Sequence, residues 1–273
     1  MSERRVVHFV LHVPKCAGMT IEGHFRALLG AGYLRAPRWH SPLRLILGEG
    51  RALRAGDPRL AQVRVISGHS LSVGMRRAFA GAEIRESVLL REPVAFHVAL
   101  FNERVRQERV GGADAAAFAR WYRAQRRNPV TRFLLWRYFE ERLPALYRLS
   151  SAARLGLLEA RLAGFWFVGD LTLADRLVMA ICRDLGLPAE RPERRNMSPR
   201  GALRPAQLSP ALAERIRAEN ALDLALWQRW RGRGFGARAK APATPPPALA
   251  RADQLALALD DLRVLAGRLR PRP

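Results

Sequence analysis

The sequence predicts an α/β domain of three layers around a central parallel sheet. Short apolar, β-branched runs near residues 6–13, 62–67, 84–90 and 164–168 alternate with longer stretches of helical spacing. Runs of that length, apolar on both faces, belong to parallel strands joined by helical crossovers. The chain has 273 residues, enough for one cored domain over 1–233 and a tail.

The first run, Val6-Val7-His8-Phe9-Val10-Leu11, passes directly into His12-Val13-Pro14-Lys15-Cys16-Ala17-Gly18-Met19-Thr20, and a helical pattern opens at Thr20. Residues 34–60 are rich in Pro and Arg and predict irregular chain. Val63-Arg64-Val65-Ile66-Ser67-Gly68-His69 reads as a buried strand running into a loop. Glu86-Ser87-Val88-Leu89-Leu90 reads as another, ending in Arg91-Glu92-Pro93, where the proline suits a first helical turn. Residues 113–162 predict a helical insert whose aromatic residues, Trp121 to Phe139, pack a core and offer a wall for a second substrate. Phe165-Trp166-Phe167-Val168-Gly169-Asp170 is the late strand, followed by a helix through Met179. Ser209-Pro210 is an N-cap plus first-turn proline for two closing helices that end near Trp227–Trp230. Residues 234–247 are a Pro/Ala-rich linker, and the leucines spaced along 248–273 predict an amphipathic helical tail.

Of 47 basic residues only Lys15 and Lys240 are lysines. A lysine kept at a strand-to-helix turn in so arginine-rich a chain points to a site that needs a compact ammonium charge. Such a turn can form a nest of backbone N–H groups for a phosphate or sulfate, with Gly18 admitting close approach and Thr20 adding a hydroxyl. A plain turn shaped by Pro14 and Gly18 is the alternative. The nucleotide-triphosphatase pattern G-x-x-x-x-G-K-[ST] is absent.

Pro14-Lys15-Cys16-Ala17-Gly18-Met19-Thr20 resembles the P-K-[TC]-[AG]-G-[TS]-[ST] loop of carbohydrate sulfotransferases, the heparan-sulfate 2-O-sulfotransferase-like group in particular. The resemblance implies a P-loop-like fold. It implies a loop that holds the 5′-phosphosulfate of 3′-phosphoadenosine-5′-phosphosulfate, the sulfuryl donor. Met19 departs from the family's hydroxyl residue. Leu90-Arg91-Glu92-Pro93-Val94 resembles the family's L-R-[DE]-P-[VL], whose arginine grips the donor's 3′-phosphate; pairing of Arg91 with Glu92 or Glu103 is the plain alternative. The family pattern continues R-x-P-x-x-R-x-x-S, and here Phe96 and Ala99 stand where the second Arg and the Ser belong. Gly68-His69 resembles the motif whose histidine is the catalytic base, with His12 as rival. Arg194-Arg195-Asn196-Met197-Ser198-Pro199-Arg200 resembles the N-x-S segment before the closing helices. There Arg195 and Arg200 are candidates for the missing phosphate contacts, or members of a solvated basic loop.

The function the resemblance implies is sulfuryl transfer to a hydroxyl, on a carbohydrate or glycolipid, without a metal. A net charge of +23 suits anionic ligands and allows contact with an anionic surface. No nucleic-acid module or metal-ligand cluster is legible in the sequence. With only Cys16 and Cys182, no apolar run of about 18 residues and no export signal, a cytoplasmic protein is the expectation. Two other classes stay open: a P-loop-like kinase with Asp170 as its metal carboxylate, and a degenerate, non-catalytic anion binder.

Overall fold

Strand β1 (Val6–Leu11) forms from six residues with no polar face to leave in water, and all but Val6 are buried. The computed structural model describes residues 5–37, 53, 56–141, 146, 149–195 and 201–235. After β1 come α1 (Gly18–Leu29), β2 (Tyr33–Arg35), β3 (Val65–Gly68), β4 (Glu83–Leu90) and α2 (Pro93–Arg106). The helical insert supplies α3 (Ala115–Tyr122), α4 (Pro129–Arg132) with a π-helical turn at Phe133–Tyr138, and α5 (Ser151–Leu162). The chain then forms β5 (Phe167–Asp170), α6 (Ala174–Asp184), α7 (Pro210–Glu219), α8 (Ala221–Trp230) and β6 (Gly234–Phe235).

The strand order is β2-β3-β1-β4-β5-β6, parallel except for β6, which runs antiparallel to β5. Helices flank this sheet, giving the three-layer, P-loop-like α/β architecture expected from the sequence. Because β3 and β4 lie on opposite sides of β1, the winding reverses there. A crevice therefore opens at the carboxyl ends of these three strands.

Details depart from the sequence reading. The strands expected near 62–67 and 164–168 run from 65 to 68 and from 167 to 170. Helix α1 starts at Gly18, not Thr20. Residues 33–35 form β2 at the margin of the stretch expected to be irregular; three residues are too few to show a period, and Tyr33 Oη lies 2.7 Å from Ser67 Oγ. Strand β6 extends the sheet to Phe235, past the expected boundary at 233. The rest of the expected linker, the helical tail, Lys240, Arg200 and residues 38–52 lie outside the described residues.

Local chemistry explains the helix ends. Asp114, Ser150 and Ser209 accept backbone N–H bonds at the starts of α3, α5 and α7. The insert and the closing helices cap each other. Asp223 accepts the Val130 and Thr131 N–H groups at 2.9 and 2.7 Å, while Asn128 Oδ1 accepts those of Leu222 and Asp223 at 3.0 and 3.2 Å. Burial lifts the Asp223 carboxyl to about 6. Helix α2 has two stripes. Val94, Val98 and Phe101 pack with α3 and α7, and Phe96, Ala99 and Glu103 face the crevice.

Candidate functional site

Strand register brings the expected residues together. Leu11 pairs with Gly68 on one side and with Val88 on the other. One step further stand His12 and His69; three steps further stand Pro14 and Arg91. All of these line one open cavity of about 1550 Å³, together with Lys15, Ala17, Gly18, Met19, Thr20 and Arg195. Cys16 is buried in the core behind the loop, where burial pushes its thiol up to about 12 and makes it inert. It forms no disulfide with Cys182.

The loop is held in an unusual backbone conformation. Lys15 (φ 63°) and Ala17 (φ 58°) are left-handed. Each such non-glycine residue costs on the order of 1–3 kcal/mol, and strain of this kind concentrates at ligand sites. The α1 ladder begins with Ile21 N–H on Ala17 O at 3.1 Å, so the N–H groups of the first turn precede it at the positive end of the helix. Arg91 clamps the loop, its Nη1 donating to Lys15 O at 2.7 Å, and its Nε is buried with no partner. It pairs with neither acid expected as an alternative. Glu92 caps Ala95 N–H at 2.8 Å and bonds Arg217 at 3.0 Å, and Glu103 lies 3.6 Å from Lys15 Nζ. Burial pulls the Lys15 ammonium below its ordinary range, opposed by Glu103.

His12 and His69 form a ring pair tilted by 33°, with centroids 3.8 Å apart. His69 Nδ1 lies 2.6 Å from the His12 carbonyl, which can only accept, so Nδ1 carries the proton and Nε2 the lone pair. Burial lowers the His69 pKa below its ordinary 6.5, keeping the ring neutral at physiological pH. The His12 ring lies over Gly18, where a Cβ would come within 1.7 Å of it. Burial takes His12 down to about 3, and its Nδ1 has no partner. His12 thus stands between His69 and the loop, an intrusion the sequence did not announce.

Thr20 serves another purpose than a free hydroxyl. Its Oγ1 accepts the Arg195 N–H at 3.1 Å and tethers that segment to α1. The Arg195 side chain crosses Gly23, where a Cβ would lie 2.8 Å from Arg195 Cδ and Nη1. Arg195 thereby reaches the cavity, and Met19, 45 % exposed, sits on its rim. Phe96 and Ala99, the departures from the phosphate motif, line the same cavity.

In the sequence Glu103 stands only as a possible partner of Arg91. Its spacing from Phe96 and Ala99 on one helical stripe was the signal for its place in the site. No motif marks Arg104, Arg106, Arg132 and Arg137, which also line the cavity with Trp136. Asp170 uses both carboxylate oxygens on backbone N–H groups, Oδ1 on Thr172 and Oδ2 on Gly232, each at 2.8 Å. Among the described residues no group of three or more His, Cys, Asp or Glu could hold a metal, and no helix is long and apolar enough to cross a membrane. No family model, curated protein or solved structure matches the chain, which leaves the geometry of this cavity to carry its function.

Proposed function

We propose that the chain is a sulfotransferase that moves a sulfuryl group from 3′-phosphoadenosine-5′-phosphosulfate to a hydroxyl of a carbohydrate or glycolipid. The observation that carries this reading is the strained loop of Lys15 and Ala17, clamped by Arg91 at the carboxyl edge of the sheet, with a neutral, oriented His69 lining the same cavity behind His12. Left-handed residues before a helix aim successive N–H groups at one anion. The ammonium of Lys15 adds a point charge.

The residues fit the 5′-phosphosulfate end of the donor. At the 3′-phosphate end Arg91 keeps an unpartnered buried Nε, and Arg195 is among the further cations of the cavity, but Phe96 and Ala99 give that phosphate nothing to bond. In the reaction the acceptor oxygen bonds to sulfur as the bridging bond to the donor phosphate breaks. His69 Nε2 takes the hydroxyl proton, while Lys15 and the loop N–H groups stabilise the charge that gathers on the leaving phosphate. His69 suits the base role better than His12, whose ring is wedged over Gly18 and is the weaker base. A kinase finds less support, because the oxygens of Asp170 are already bonded. The degenerate anion binder is favoured by Phe96, Ala99 and Met19.

Calorimetry with adenosine 3′,5′-bisphosphate, the expected product, tests the reading. Tight binding without magnesium, abolished by Lys15→Ala, is the expected result. No binding by folded protein overturns it, and binding with no transfer to any tested glycan favours the degenerate form.

A further inference from the structure

The cavity holds an acid in an unexpected place. Glu103 projects from α2 with its carboxylate 3.6 Å from Lys15 Nζ, and the two side chains are 17 % and 18 % exposed. Its other bonds are local: Arg106 donates to Oε2 at 3.1 Å and to Oε1 at 2.6 Å, and Gln107 donates to Oε1 at 2.7 Å. The carboxylate is therefore anchored on its own helix and does not depend on Lys15. A phosphate seated on the loop meets a fixed negative charge within a few ångströms, and an ammonium already partly neutralised by it. In a half-buried site such like-charge contact is poorly screened.

Resting on the donor-binding reading above, we propose that Glu103 is a positioning residue that competes with the bound nucleotide phosphate for the Lys15 ammonium, weakening nucleotide binding and hastening product release. Arg106 and Gln107 make this competition cheap. When the ammonium swings to the ligand, Glu103 keeps three hydrogen bonds and is not left as an unsatisfied buried charge. Arg91 fixes the backbone of the loop through Lys15 O, so only the side chain of Lys15 has to move.

The test exploits the lysine count. Lysine carrying 13C at Cε gives two resonances, from Lys15 and Lys240, and the first is assigned by its loss in Lys15→Ala. The groups that act on the Lys15 charge are Glu103, Arg91 and Arg106. In Glu103→Gln the ammonium loses its carboxylate and keeps its burial and both arginines, so its titration should move to lower pH. Adenosine 3′,5′-bisphosphate should bind this variant about tenfold more tightly, the scale of one charged contact of about 1.4 kcal/mol, and dissociate correspondingly more slowly. Glu103→Asp keeps the charge but draws it back by one methylene, and should fall between the two; it also serves if the first variant does not fold. An unchanged Lys15 titration in Glu103→Gln overturns the ion pair. Unchanged or weaker nucleotide binding, with the titration shifted, overturns the competition. A wild-type Lys15 signal indifferent to saturating nucleotide overturns the donor-binding reading itself, and this inference with it, even where the ion pair is demonstrated.

Discussion

Gly18→Ala isolates the contact that shapes this site. The new Cβ would lie 1.7 Å from His12 Cδ2, where ordinary contacts begin at 3.4 Å, so the imidazole must retreat by the difference, about 1.7 Å. Retreat breaks the pairing of His12 with His69, whose centroids are 3.8 Å apart. Forcing an extra methyl into a packed site costs about 1–3 kcal/mol. Against this, Ala gains about 1 kcal/mol over Gly in a helix, and Gly18 is the first residue of α1. Overpacking should win, leaving a net loss of up to about 2 kcal/mol, or up to about 8 °C in melting temperature for a domain of this size. The control is the same change in a His12→Ala background. With the ring gone only the propensity gain remains, and Gly18→Ala should stabilise. Urea unfolding of the four proteins closes this cycle and gives a coupling of about 1–3 kcal/mol. If Gly18→Ala stabilises the protein with His12 in place, the ring does not sit over the loop and the account of the pair is wrong.

Replacing His69 by Ala should lower turnover by about 10²–10⁴-fold and leave bisphosphate affinity within a few-fold; unchanged turnover assigns the proton elsewhere. With burial holding the His69 pKa below 6.5, wild-type turnover should be level at neutral pH and fall only on acidification. Joint replacement of Phe96→Arg and Ala99→Ser should tighten bisphosphate binding, each charge-assisted bond contributing about 1.5–3 kcal/mol; unaltered affinity in calorimetry means that arginines elsewhere already serve the 3′-phosphate. Asp223 is raised to about 6 in the folded chain from an ordinary 3.8, so its protonation favours folding below 3.8 and that contribution is lost as pH rises through 6. Between pH 4 and 7 the wild type should lose about 2 kcal/mol that Asp223→Asn does not; parallel stability curves from urea unfolding would discount the buried carboxyl.

Much of this protein was legible in its sequence because the signals were local. Apolar runs of strand length, broken by helical spacing, are enough to specify a parallel sheet with helices on both faces, since nothing else buries such strands. Ser209-Pro210 marks a helix start because a hydroxyl cap and a missing N–H are both properties of neighbouring residues. Lys15 stood out because the chain otherwise uses arginine. What the sequence could not disclose depends on residues distant along the chain. The pairing of Leu11 with Gly68 decides that His12 and His69 meet, and two histidines separated by 57 positions carry no sign of it. The tether from Thr20 to Arg195 spans 175 positions, and the mutual caps of Asn128 and Asp223 join two helical hairpins. Glu103 is the clearest case. Its spacing places it on the stripe with Phe96 and Ala99, but only the packing of α2 beside the loop brings its carboxylate to Lys15. Spacing assigns a residue to a face; packing decides what that face meets.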